Sequence, residues 1–366
     1  MNAVGDSTCL SCHAGKASYE GTAHRRTSRH PSPATMPPGF RDGENVLHTA
    51  NPNLYFRMTA NASGYYETAV TGRGRDTTAR TERIAYVTGS GRKGQSFLYW
   101  NRDALFQLPV SYWSSLRVWI NSPGYSDGVA NFNRPIAPRC LECHATWIQS
   151  VPAVAEPNLY DSTTFILGIT CERCHASGRE HVARERSLLH AVRSPSVVNA
   201  ARMSRAQKMD ACAQCHGGVG RPIGASFRYV AGMPLDKYVA RPPIPSDATV
   251  DVHGNQVALL QRSRCYQSSQ MTCLTCHDVH GTQRSTTELS GRCLTCHTEQ
   301  SCGLYPKQGH SLAGRCVDCH MPQRLSSIIV VSHEGKEERA PVRSHLIKVY
   351  QDSLSSGRVS RVSGSR

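Results

Sequence analysis

Fourteen of the sixteen cysteines in this 366-residue chain fall into one pattern, Cys-x-x-Cys-His. The seven copies are Cys9/Cys12/His13, Cys140/Cys143/His144, Cys171/Cys174/His175, Cys212/Cys215/His216, Cys273/Cys276/His277, Cys293/Cys296/His297 and Cys316/Cys319/His320. Paired cysteines of this spacing can hold structural zinc, and a single pair can cycle as a thioredoxin-like dithiol. With a histidine directly after the second cysteine they can also attach haem c. The two thiols add across the two vinyl groups of one porphyrin, and the imidazole is carried beneath the iron as proximal ligand. Zinc pairs need no histidine after every second cysteine, and redox dithiols do not come in sevens. The set therefore points to seven covalently bound haem c groups, with the cysteines as attachment points and the seven motif histidines as iron ligands.

Ten histidines lie outside the motifs: His24, His30, His48, His181, His190, His253, His280, His310, His333 and His345. If every iron carries two imidazoles, seven of these ten are used. The stretch "MTCLTCHDVHG" (271–281) shows how. His280, three residues past His277, cannot reach round the porphyrin to the far face of the same iron, but it can ligate a second haem packed alongside. His181 follows its motif on the helix that motif opens, and His310 precedes Cys316 by six residues. His30 beside Pro31 and His333 in "SHEGKEE" read as solvated. The two cysteines left over, Cys265 and Cys302, suggest a disulfide in an exported protein, the alternative being two buried free thiols.

The elements that must position these groups are weakly patterned. The hydrophobic fraction is 39%, below the usual globular share, and seven haems supply the missing apolar bulk. The expected fold is mainly α with much irregular loop, organised around seven haems, with a small antiparallel β-sheet insertion at about 52–113. Strand character is confined to "NLYFRMTANASGYYETAV", "ERIAYVTGS", "QSFLYW" and "ALFQLPVSYW", which alternate apolar and polar around turn signals. "GREHVARERSLLHAV" is the best helix and "RPIGASFRYVAGMPLDKYVARPPIPSDATV" a Pro-rich linker. The expected organisation is an N-terminal haem segment (1–45), a β-rich insertion (46–133), a six-haem domain (134–350) and a basic Ser/Arg tail (351–366). That tail looks disordered by composition, unless it docks on another subunit. From the second motif onward successive first cysteines are 31, 41, 61, 20 and 23 residues apart, so neighbouring haems must lie close together.

The net charge of +15 would ordinarily suggest an anionic partner such as nucleic acid. Seven haems bring fourteen propionates, which leaves about +1, and 35 of the 42 basic residues are arginines, suited to bidentate pairing with carboxylates. Nucleic-acid binding is therefore not expected. No segment reaches the 18 or so apolar residues of a membrane span, so the expectation is a chain without a membrane span, exported to the periplasm or beyond, because haem c is attached outside the inner membrane.

The segments "GITCERCHASGREHV", "MTCLTCHDVHG" and "CVDCHMPQR", with the downstream "VRSHLIKVY", resemble the multihaem c-type cytochromes related to the tetrahaem cytochrome of ammonia oxidisers. That superfamily also includes pentahaem nitrite reductase and octahaem hydroxylamine oxidoreductase. The resemblance covers most of 134–350. It implies distal ligand roles, each to another haem, for His181, His280 and His345, and by position for His24 and more weakly His253. With His310 these give six distal candidates; the seventh is His190, His48 or an open iron. The implied function is electron transfer along closely packed bis-histidine haems, exchanging electrons with redox partner proteins or, in one variant, with identical subunits stacked into an extracellular filament. The alternative is a multihaem redox enzyme acting on a small nitrogen or sulfur compound at one open haem. The Cys-x-x-Cys-Lys site of the pentahaem reductases does not occur here.

Overall fold

Strand alternation begins earlier and ends later than 52–113. The computed structural model describes residues 3–151, 157–187, 197–241, 250–282, 284–333 and 335–351. His190, residues 242–249 at the end of the Pro-rich stretch and the tail beyond 351 lie outside the described residues. The motif of Cys9 sits on α1 (Asp6–Leu10). After it the chain enters two antiparallel sheets. Their strands are β1 (Ser28–Arg29), β2 (Val46–His48), β3 (Leu54–Asn61), β4 (Gly64–Thr71), β5 (Thr78–Arg83), β6 (Tyr86–Thr88), β7 (Gly94–Asn101), β8 (Ala104–Trp113), β9 (Val118–Asn121) and β10 (Arg134–Pro135). The four-stranded sheet runs β2-β3-β4-β5. The six-stranded sheet runs β1-β6-β7-β8-β10, with β9 also pairing β8.

The two sheets share an apolar core. Along β3, Leu54, Phe56 and Met58 are buried while alternate residues are not. They meet Phe97, Leu108, Val110 and Trp119 of the larger sheet, the two-layer arrangement of packed sheets. The β3–β4 turn closes at Asn61–Gly64, where the Asn61 side chain accepts the Ser63 N–H at 2.8 Å. Gly64 has φ +140° there, a conformation that suits glycine.

A second apolar cluster ties this sandwich to the first motif beyond it. Tyr86, Leu98 and Leu105 pack with Ile136, Leu141, Ile148 and Tyr160. Leu141 belongs to α2 (Pro138–His144), which carries the motif of Cys140, and Ile148 to β11 (Ala145–Ser150), which pairs β12 (Tyr160–Leu167). The remaining motifs follow on α3 (Cys171–His175), α5 (Arg205–His216), two 3-10 turns (Cys273–Thr275 and Cys293–Thr295) and a last helix, Cys316–His320. Between α3 and α5 lies α4 (Arg179–Arg186). The hairpin Gln323–His333/Lys336–Arg343 comes near the C-terminal end.

The expectation of a mainly α chain with one small sheet is thus corrected. The molecule is 29% helix and 29% strand, with several antiparallel sheets. The physical reason is that the sandwich fills its own interior with side chains, and the motif-bearing helices other than α2 and α5 are about one turn long. Within "GREHVARERSLLHAV", α4 covers Arg179–Arg186 and Ser187 is extended, and the residues after it lie outside the described ones.

Candidate functional site

Each motif closes one turn of helix. The histidine N–H donates to the carbonyl of the first cysteine, as in His13 to Cys9 (2.9 Å), His277 to Cys273 (2.9 Å) and His297 to Cys293 (3.0 Å). At helical spacing, residues i, i+3 and i+4 lie on one face, so both thiols and the imidazole of a motif look the same way.

Buried polar side chains lock these turns to one another. The Glu172 carboxylate accepts the N–H groups of Val4, Gly5 and Gly178, while Asp6 accepts that of Cys171 at 2.9 Å, joining the first motif to the third. Arg139 on α2 donates to the Gln214 carbonyl of α5 at 2.7 Å. Arg205 donates to the carbonyls of Tyr266 and Met271, just ahead of the Cys273 motif. Arg343 grips the last motif through the Val317 and Met321 carbonyls and the Asp318 carboxylate.

All seven motifs face one cavity of about 3720 Å³, lined by all fourteen motif cysteines and all seven motif histidines. Shared among seven motifs, this is about 530 Å³ each, within the roughly 300–1,000 Å³ of a small-molecule or cofactor pocket. Of the other histidines, His24, His181, His253, His280 and His345 reach its wall.

Four of those five stand ring to ring with a motif histidine. The centroid separations are 6.3 Å for His13/His181, 6.1 Å for His24/His216, 6.1 Å for His175/His280 and 6.2 Å for His277/His345. Rings in van der Waals stacking sit closer than this. An imidazole nitrogen lies about 1.1 Å from its ring centre and about 2.0 Å from a bound metal, so two imidazoles on opposite sides of one metal stand about 6.2 Å apart. The separations match a pair of rings with one metal between them.

Ring orientation fits the same group. His175 Nδ1 donates to the Val198 carbonyl (2.8 Å), His320 Nδ1 to that of Lys348 (3.0 Å) and His345 Nδ1 to that of Arg343 (3.3 Å). A carbonyl only accepts, so the proton is on Nδ1 and the Nε2 lone pair is left for a metal. His144 Nδ1 pairs with the Thr27 hydroxyl at 3.0 Å. Burial favours the neutral form of several rings on the cavity wall. It holds His216 down to about 4, with the neighbouring His24 adding to the effect, and His345 down to about 4, with His277 adding. Burial likewise lowers His24, His144, His253 and His280.

The wall is basic, with ten arginines and four lysines against four carboxylates. Arg173 on this wall is buried and its Nε has no partner among the described residues, an orphaned donor of the kind a propionate carboxylate would satisfy. Among the described residues no three His, Cys, Asp or Glu side chains gather as in a metal cage, so the cysteine pairs do not converge on tetrahedral zinc sites. Cys265 and Cys302 are both free thiols, in place of the expected disulfide.

The remaining histidines are elsewhere. His310 is 81% exposed, with Nδ1 at 2.5 Å from the Glu299 carboxylate and Nε2 near the Tyr305 hydroxyl. The expected ligand is thus engaged by Glu299, a carboxylate of the cavity wall, and is not paired with a motif ring among the described residues. His30 packs on Tyr86, His48 lies beside Tyr55, and His333 ends a hairpin strand opposite Lys336. The fixing groups Glu172, Arg173 and Thr27 were not singled out from sequence. The first two fill the variable positions of a motif, and only their burial marks them.

Residues 126–176 match the sequence family described as cytochrome c554 and c-prime. The matched stretch, about one-seventh of the chain, contains the motifs of Cys140 and Cys171 and is similar to c-type cytochromes, a family of haem-bearing electron-transfer proteins. No curated protein and no solved structure matches the chain.

Proposed function

We propose that the protein is a heptahaem c-type cytochrome that passes single electrons along closely packed haems. The observation that carries this reading is the set of four histidine pairs at one-metal spacing inside a single cavity faced by all seven motifs. His13/His181, His216/His24, His175/His280 and His277/His345 would each hold one iron. His253 serves His144, since the two line the same wall and His253 adds to burial in lowering the affinity of His144 for a proton. Bound haem c supplies one-electron iron chemistry. The chain's contribution is to clamp each paired iron from both faces, to exclude substrate there, and to tune potential through burial, Nδ1 hydrogen bonds and the arginine-rich wall. No helix of the described residues is long and apolar enough to cross a membrane. Haem c attachment implies export, and soluble redox proteins are the expected partners.

Intact-mass measurement of the chain, made in a host able to install haem c, is the test. Seven haem masses are expected; a bare polypeptide would end the reading. The oxidised spectrum should be dominated by low-spin haem. The alternative of a redox enzyme at an open haem draws on one observation: no second imidazole stands against His297 or His320 among the described residues.

A further inference from the structure

Two hydrogen-bond donors on the cavity wall are buried without a partner among the described residues: Nε of Arg173 and the hydroxyl of Tyr229. Arg173 is 9% exposed and Tyr229 4%. Buried polar groups are seldom left unbonded. A buried guanidinium, which keeps its charge, needs a counter-charge as well.

The nearby acids are already engaged. Arg173 lies between Cys171 and Cys174, and its Nη2 donates to the Glu142 carbonyl at 3.2 Å. Glu142 lies between Cys140 and Cys143, and its carboxylate accepts from Arg139 Nη1 at 3.1 Å and from the Phe227 N–H at 2.6 Å. Arg139 in turn donates to the carbonyl of Gln214, between Cys212 and Cys215. The variable positions of the second, third and fourth motifs thus meet in one buried cluster with two arginines to one carboxylate. Glu172 accepts the N–H groups of Val4, Gly5 and Gly178 instead, and Asp210 that of Leu235.

Tyr229 belongs to the same corner. Its ring packs with Met209 and Leu235 and stands edge-on to Tyr238. Phe227, two residues earlier, has the Arg173 guanidinium 5.5 Å from its ring centre. Burial, with Asp210 and the Cys212 thiol adding, pushes the Tyr229 hydroxyl up, while the Arg173 charge opposes it. The hydroxyl therefore keeps its proton and can donate.

We propose that Arg173 and Tyr229 form a carboxylate site that holds a propionate of a haem at this three-motif junction, and that the Arg173 charge raises that haem's reduction potential. The inference rests on the heptahaem reading above. Both donors favour the ionised propionate, and a buried cation favours the iron in its less positive, reduced state.

The test is a redox titration of the holoprotein followed by EPR, in which each low-spin ferric species is tracked as it is reduced. Arg173→Gln should favour the oxidised form of one to three haems about tenfold, a fall of about 59 mV for a one-electron couple. Tyr229→Phe should move one of the same species in the same direction by less. Arg173→Lys, which keeps the charge, should stay nearer wild type than Arg173→Gln, and all three variants should keep the wild-type count of low-spin haems. Unchanged midpoints in Arg173→Gln, a uniform shift of all seven, an Arg173→Lys shift as large as that of Arg173→Gln, or a Tyr229→Phe shift confined to other species would each overturn the assignment. If Arg173→Gln fails to take up haem, Tyr229→Phe decides, and unmoved midpoints there overturn the site. A wild-type chain lacking seven haem masses would instead sink the heptahaem reading.

Discussion

His280→Ala isolates the cross-pairing of the rings. The His280 ring stands 6.1 Å from that of His175 with 17° between their planes, while His277, three residues earlier, faces His345. The backbone at 280 is held independently of the ring, with its N–H on Asp278 at 3.0 Å and its carbonyl accepting from Ser18 at 2.9 Å. Truncation should therefore strip the second ligand from the haem on Cys171/Cys174 and leave the haem on Cys273/Cys276 with both. One haem in seven, about 14% of the ferric iron, should move to high spin above the wild-type level, and free imidazole should restore it. An iron held between His175 and His280 would also close a loop of 105 residues. The loop-closure relation, (3/2)RT ln n, puts such a link at about 4 kcal/mol taken alone. The measured loss should be smaller, because His13/His181 and His24/His216 tether the same segments. The readouts are the EPR signal of the oxidised protein and denaturant midpoints. The double variant with His345→Ala should give two high-spin equivalents. An unchanged spectrum in the single variant, or only one equivalent in the double, would refute the cross-pairing.

Glu172→Ala leaves the N–H groups of Val4, Gly5 and Gly178 without their acceptor and should cost on the order of 3 kcal/mol, with Glu172→Gln milder; equal midpoints for Ala and wild type would count against the lock between first and third motifs. Glu67, fully buried in the sandwich with one oxygen unpartnered, is pushed well above 4.5 by burial. Its raised folded value means that stability is whole below about 4.5 and falls as pH rises toward the folded value. Glu67→Gln should therefore be the more stable protein at pH 8 and about equal to wild type at pH 4 in chemical denaturation, and a difference that does not grow with pH would contradict this.

The attachment chemistry is legible in the sequence because it is local: two thiols and an imidazole within five residues and one helical turn. The second imidazoles are not, because they join positions as far apart as 24 and 216. Only His280 carries a local clue, being too near His277 to share its iron. His310 shows how sequence proximity misleads, since its six-residue distance from Cys316 says nothing of the Glu299 carboxylate that holds it. Fold class failed for a related reason. A low apolar fraction averaged over the chain hid a sandwich whose core is dense in Leu47, Phe56, Phe97 and Trp119. Strands of two residues, such as Ser28–Arg29 and Arg134–Pro135, are too short to show a period. The motif helices other than α2 and α5, about one turn each, are too short as well.

The two halves of the chain should depend on cofactor to different degrees. Residues 28–135 bury their own core between two sheets, which needs nothing from outside. The motif-bearing part instead surrounds a space of about 3720 Å³. At about 24 cal/mol for each Å³ of cavity left unfilled, keeping that space empty would cost tens of kcal/mol, several times the whole stability of an ordinary domain, about 5–15 kcal/mol. An unfilled cavity of this size must collapse or open. The ring pairs cannot prevent it, since without iron His13/His181 or His24/His216 are two imidazoles about 6 Å apart with no bond between them. The chain made without haem attachment should accordingly show slow amide exchange across Leu54–Thr71 and Gly94–Trp113, and little protection at the motifs from Cys171 onward. With haem attached, protection should extend to both. Equal protection of the motif segments in the two preparations would mean that the polypeptide holds this cavity open unaided, and the cofactor-as-core argument would fall.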